Sequence, residues 1–139
     1  MATHPIDTYL LEGRPSKGEV IAALLRERVA DPRAAAFYRA LEAVGAAAAD
    51  ESLVALRLVL AGSTPDDHSV RRLRGLAAIS RAAVAKNSAA VHAAIVKDPE
   101  VAADAQPADD LGKLARAVRE RYEAMLATPG DVFEPRSSP

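Results

Sequence analysis

The chain has 139 residues, no cysteine, no tryptophan, and 18 basic against 19 acidic side chains, for a formal net charge of −1. That length suits one domain, and the missing cysteines exclude disulfides, thiolate metal sites and a cysteine nucleophile. The balanced charge excludes a global basic field, so any contact with nucleic acid must come from a local patch.

Residues 1–15 read as a partly ordered lead-in, 16–128 as one helical domain, and 129–139 as an extended tail with three prolines counting Pro129. Ser16-Lys17-Gly18-Glu19 has capping-box spacing. Val20, Ile21, Leu24, Leu25 and Val29 follow at helical intervals, which predicts a helix near 17–29. Asp31-Pro32 restarts the chain, with Asp as N-cap and Pro at the first helical position. Phe37, Leu41 and Val44 then share a face over 32–48. Asp50 can cap a helix over 51–61, where Leu53, Val54, Leu56, Leu58, Val59 and Leu60 leave almost no polar side. That helix is expected to be central and most buried, and Gly62 ends it.

Thr64-Pro65-Asp66-Asp67 opens a helix to about Lys86, with Pro65 at its first position, acids where the helix dipole favours them and Val70, Leu73, Ala77 and Val84 inward. Asn87 is its expected C-terminal cap. Ser88 caps a helix carrying Val91 and Ile95, Asp98-Pro99 starts a short piece, and Pro107 with Asp109 and Asp110 precedes a long helix to about Ala127. Leu111, Leu114, Val118, Tyr122 and Met125 form its stripe. No strand-like alternation appears. Alanine, 32 residues of the chain, is the best helix former and lets helices approach closely. The expected fold is an all-α, single-domain bundle of five to seven helices.

Chemistry-bearing constellations are sparse. His4, His68 and His92 make no pair with the i, i+4 spacing of a zinc helix. Asp50-Glu51, Asp66-Asp67 and Asp109-Asp110 sit where helix N-termini favour acids. No glycine-rich phosphate loop or nucleophile elbow is present. The expectation is a protein without catalysis, cofactor, metal or small-molecule substrate. No apolar run approaches the roughly 18 residues of a membrane span, and residues 1–5 do not read as a secretory signal. A cytoplasmic, non-membrane protein is expected.

The basic residues say more. Arg71, Arg74 and Arg81 recur at i, i+3 and i+10, which is expected to put them on one face of that helix, with Arg72 beside them and Lys86 at its end, and Val70 to Lys86 contains no acid. Such a row suits phosphate contact, or a solvated face. Arg57 is the only charge between Glu51 and Asp66. A buried unpaired guanidinium is too costly, so it needs an acid such as Glu42, solvent or a ligand anion. Arg39, beside Glu42 at i, i+3, falls in the same cluster.

Ala36-Phe37-Tyr38-Arg39-Ala40-Leu41, Gly45, Ala55-Leu56-Arg57-Leu58-Val59-Leu60-Ala61-Gly62 and the following Val70-Arg71-Arg72-Leu73-Arg74 together resemble the small (belly) subunit of Cascade-type CRISPR effector complexes. The resemblance covers residues 36 to about 81. It implies a non-catalytic subunit that packs beside further copies of itself along the CRISPR backbone subunits. It also implies sequence-independent contacts to guide RNA or target DNA through Arg39, Arg57, Arg71, Arg72, Arg74, Arg81 and Lys86. The net charge of −1 departs from the more basic surface expected of that family, which favours a scaffold role with strand contact confined to the Arg71–Arg81 face. Two other readings of the sequence stand beside it: a protein-only helical adaptor or assembly module, and a helix-turn-helix DNA-binding regulator.

Overall fold

A computed structural model of the chain describes residues 4–104 and 110–127. Within them lie eight α-helices: α1 Pro5–Glu12, α2 Lys17–Arg26, α3 Pro32–Val44, α4 Asp50–Leu60, α5 Asp67–Val84, α6 Ser88–Lys97, α7 Pro99–Asp104 and α8 Leu111–Ala127. A 3₁₀ turn, Gly45–Ala47, follows α3, and no strand occurs among the described residues. The fold is an all-α bundle around one core. The expected tail over 129–139 lies outside the described residues, as do Pro107 and Asp109.

The extra helix is α1, where a lead-in was expected. Pro5 occupies its first turn, and the N–H of Ile6 donates to Nδ1 of His4 at 3.1 Å, so His4 is the N-cap. Ile6, Leu10 and Leu11 are fully buried. Gly13 closes the helix at φ 82°, its N–H donating to the Tyr9 carbonyl, a left-handed cap that glycine adopts without strain. The helix is short because its stability comes from packing rather than from length.

The other helix starts follow the sequence closely. Ser16 and Glu19 form a reciprocal capping box on α2. Asp31 caps α3 through the N–H of Arg33; that N–H, with the Arg33 guanidinium, holds the Asp31 carboxyl below its ordinary value. Asp66 caps α5 through Ser69. Three assignments shift. Pro65, expected at the first position of α5, precedes its Asp66 cap. Asp50 lies inside the first turn of α4, behind Ala49, and Asn87 caps the start of α6 rather than the end of α5. The end of α5 instead passes through Lys86 at φ 58°. The Lys86 N–H donates to the Ala83 carbonyl and the Asn87 N–H to the Ala82 carbonyl, the two bonds of a Schellman closure.

The axis of the bundle is α5, not α4: α8, α6, α1 and α4 all pack on it. Leu73, Leu76 and Ile79 are fully buried along it. The apolar α4 buries Leu53, Val54, Leu56, Leu58 and Val59 but lies to one side. The stripe on α8 is as expected, with Leu114, Val118, Tyr122 and Met125 buried. Val29, Val44 and Val84 are exposed rather than inward: α2 ends at Arg26, short of Val29, the buried face of α3 is set by Ala34, Tyr38 and Leu41, and that of α5 near its end by Ser80 and Ala83. At Gly75, a Cβ would come within 2.7 Å of Val101, so α7 approaches α5 at backbone distance there.

Lys86 is a side-chain-bearing residue in a left-handed position, which costs about 1 kcal/mol relative to glycine. Lys86→Gly is expected to raise the free energy of unfolding by roughly that amount, read as a higher denaturation midpoint at unchanged m-value.

Candidate functional site

Asp7, 6% exposed, is the one buried carboxylate among the described residues. Its Oδ1 accepts from Arg57 Nε at 2.9 Å and from the Tyr122 hydroxyl at 2.7 Å. Three helices, α1, α4 and α8, meet at this oxygen. Burial, with the adjoining Asp7 charge, pushes the Tyr122 phenol well above its ordinary value, so it stays a donor. This corrects the expected partner of Arg57: Glu42 pairs with Arg28 instead, and the acid comes from the helix that the sequence reading passed over.

The same helix absorbs Arg81. The last carbonyls of a helix lack intrahelical donors. On α1, the Tyr9 carbonyl takes an additional bond from the Arg81 guanidinium at 2.8 Å, and the Leu11 carbonyl takes one from Ser80 Oγ at 3.0 Å. Arg81 also stacks over the Tyr9 ring, 4.7 Å from its centroid, and its positive charge suits a helix C-terminus. Arg119 of α8 completes the clamp with Glu12 at 3.0 Å. Arg57 and Arg81 are thus arginines turned to the interior of the bundle.

Arg71 does not share the direction of Arg81, whereas Arg74, seven residues before Arg81, lies within about 20° of it. Ten residues of helix leave Arg81 about 80° around the axis from Arg71. Arg71 and Arg74 line a groove of about 460 Å³ between α5, α6 and α7, with Gly75, Ala78, Ala94, Lys97, Asp98, Pro99 and Glu100. Arg74 pairs with Glu51 of α4 at 2.9 Å, so the acid-free run from Val70 to Lys86 receives its acid from another helix. Arg71 and Lys86 are exposed, and Arg72 is half-buried. Arg39 is exposed on α3 beside a second groove of about 490 Å³ that also includes Arg28, Asp31 and Tyr38. Its expected pairing with Glu42 is replaced by that of Arg28, which lies over the Tyr38 ring. The seven basic residues therefore do not form one surface.

Lys97, on the groove wall, and Arg28, beside Arg39, were not singled out from the sequence. Both stand at the ends of helices, where a cation reads as dipole complementation. Asp66, beside His68, is occupied as the α5 cap, and His68 Nδ1 lies 4.0 Å from Glu100. Among the described residues, no group of three or more His, Cys, Asp or Glu is placed to hold a metal ion, and no helix is long and apolar enough to cross a membrane. Comparison with family models, curated proteins and solved structures returns no match for this chain.

Removing one partner of a buried ion pair leaves the other without compensation. Asp7→Ala is expected to cost about 3 kcal/mol, measured by urea unfolding, with α1 losing amide-exchange protection first. His4 gives a pH dependence. Burial first, and then the Arg57 charge, lower its pKa below 6.5, and Nδ1 accepts the cap bond only when unprotonated. A group with a lowered folded pKa favours the fold above its unfolded value and loses that contribution as pH falls. His4→Asn, a cap that does not titrate, should therefore lose less stability than wild type between pH about 7 and about 5, as followed by denaturation at each pH.

Proposed function

We propose that this chain is a non-catalytic helical subunit that acts by packing against other macromolecules. Following the resemblance of residues 36 to about 81, the assembly is an RNA-guided ribonucleoprotein. The supporting observation is the division of the cations. Those that reach inward are committed, Arg57 to Asp7 and Arg81 to the end of α1. Arg39, Arg71 and Lys86 lie exposed and enter no ion pair among the described residues. Exposed cations outside the fold's own pairing are what a sequence-independent contact to a phosphate backbone uses. With a net charge of −1, the chain has no long-range pull on a strand, so neighbouring subunits must bring the strand to it.

A protein-only adaptor is the second reading. It is favoured by the mixed charge of the α5–α7 groove, where Asp98 and Glu100 stand beside Arg71 and Lys97, and by exposed Val29, Val44, Val84 and Val96.

The two readings separate on binding to a labelled single strand, followed by fluorescence anisotropy as salt rises from about 50 to about 200 mM. The ribonucleoprotein reading expects weak, sequence-independent binding. A triple substitution, Arg39→Ala with Arg71→Ala and Lys86→Ala, should then lower the salt slope by about two units. Arg81→Lys should change the melting temperature and leave the slope alone. Absence of strand binding, together with one stoichiometric protein partner free of nucleic acid on purification, would replace this reading with the adaptor.

A further inference from the structure

The groove between α5, α6 and α7 has the parts of a small-ligand site. Its volume of about 460 Å³ falls within the roughly 300–1,000 Å³ of small-molecule clefts. Small residues line part of it: Gly75, Ala78 and Ala94. Three cations line it, Arg71 and Arg74 from α5 and Lys97 from the last turn of α6. Arg74 is held by Glu51, whereas Arg71 and Lys97 enter no ion pair among the described residues. Two carboxylates, Asp98 and Glu100, share the α6–α7 wall. Asp98 uses Oδ1 toward the N–H of Val101 at 3.4 Å, and its Oδ2 lies against Gly75.

A ligand for this groove must bring an anion to Arg71 and Lys97 and hydroxyl donors to the carboxylates, around a body that lies on alanine. A phosphate meets the first need through charge-assisted bonds. A sugar diol meets the second, since its hydroxyls donate to carboxylate oxygens. The carboxylates repel phosphate and so fix the orientation. An extended peptide suits the groove less well. Its walls are helices whose backbone groups are already bonded, so the peptide's own N–H and C=O groups would lose water without gaining partners.

We propose that this groove seats one ribonucleotide unit, its phosphate on Arg71 and Lys97, its sugar hydroxyls on Asp98 and Glu100, and its base over Ala78 and Ala94. The proposal deepens the ribonucleoprotein reading and rests on it. The same chemistry comes from a free nucleotide or from one position of an RNA strand.

The test is amide chemical-shift mapping on the full chain, titrated separately with AMP, dAMP, an eight-residue oligoadenylate RNA and its DNA counterpart. The expected result is shifts at Gly75, Ala78 and Lys97 with AMP, with the RNA, or with both. AMP alone identifies a free nucleotide as the source, and the RNA alone a strand. The ribo form should bind about tenfold more tightly than the deoxy form, since one hydroxyl bond to a carboxylate is lost. Glu100→Gln should shrink that preference, and Ala78→Glu, at an exposed position, should abolish the shifts. Strand binding that perturbs Arg39 or Lys86 but not the groove overturns this proposal and leaves the wider reading standing. Absence of any shift with all four probes overturns both. Shifts in the groove produced by an acidic peptide, and not by the nucleotides, also overturn it, in favour of a protein partner.

Discussion

The arrangement of this bundle depends on the Asp7 carboxylate. A buried carboxylate is tolerated only when donors reach it, and here the donors come from two other helices, Arg57 on α4 and Tyr122 on α8. Once α1 is fixed between them, the open carbonyls at its C-terminal end become the next constraint. They draw Ser80 and Arg81 of α5, and Glu12 draws Arg119 of α8. Tyr9 extends the same logic toward α4, its hydroxyl donating to Asp50, which also holds Lys17 at 3.1 Å. An eight-residue helix too short to stand alone thus sets the register of the three longer helices around it.

This network also decides which cations face outward. In a chain whose charges nearly cancel, an arginine directed inward is lost to the surface. Arg57 and Arg81 lie in the resembling segment or at its edge, yet both answer to α1, which lies outside that segment. What the segment leaves exposed and outside an ion pair among the described residues is narrower than its sequence implies: Arg39 on α3 and Arg71 on α5, with Lys86 beyond the helix end. A contact made through so few cations is weak on its own, which agrees with a subunit that borrows the field of its neighbours.

Most of the fold was legible because helix starts are written locally. Ser16 with Glu19, Asp31 with Pro32, and Asp66 each carry their own stop and start chemistry, and α8 shows its stripe without ambiguity. The α1 helix was not legible as a core element. Its buried set, Ile6, Leu10 and Leu11, is short, and Asp7 within it reads as a surface residue until the acceptor's partners, 50 and 115 positions away, are known. The same distance hid the partner of Arg57. Helical geometry puts Arg71 about 80° from Arg81 but Arg74 within about 20° of it; Arg74 meets Glu51 of α4 and Arg81 meets the end of α1 because they stand at different heights along α5, which periodicity does not give. Asp98-Pro99 announces the turn into α7, but not that this turn brings Lys97 to the same groove as Arg71 and Arg74.

The alanine content bears on the groove itself. Where α7 crosses α5, Gly75 allows Val101 to approach at backbone distance, which pulls the α6–α7 corner inward. One turn along, the facing residues are Ala78 and Ala94, whose methyl groups are too short to fill the space that the crossing opens. Larger side chains there would close the gap by interdigitation, as in an ordinary core. Here the gap remains, and the charged residues along its rim, Arg71, Lys97, Asp98 and Glu100, keep water and polar ligands as its natural occupants. The same bias toward small residues that lets these helices approach closely thus leaves a cleft in which Arg71 and Lys97 stand with Asp98 and Glu100 beside small apolar residues.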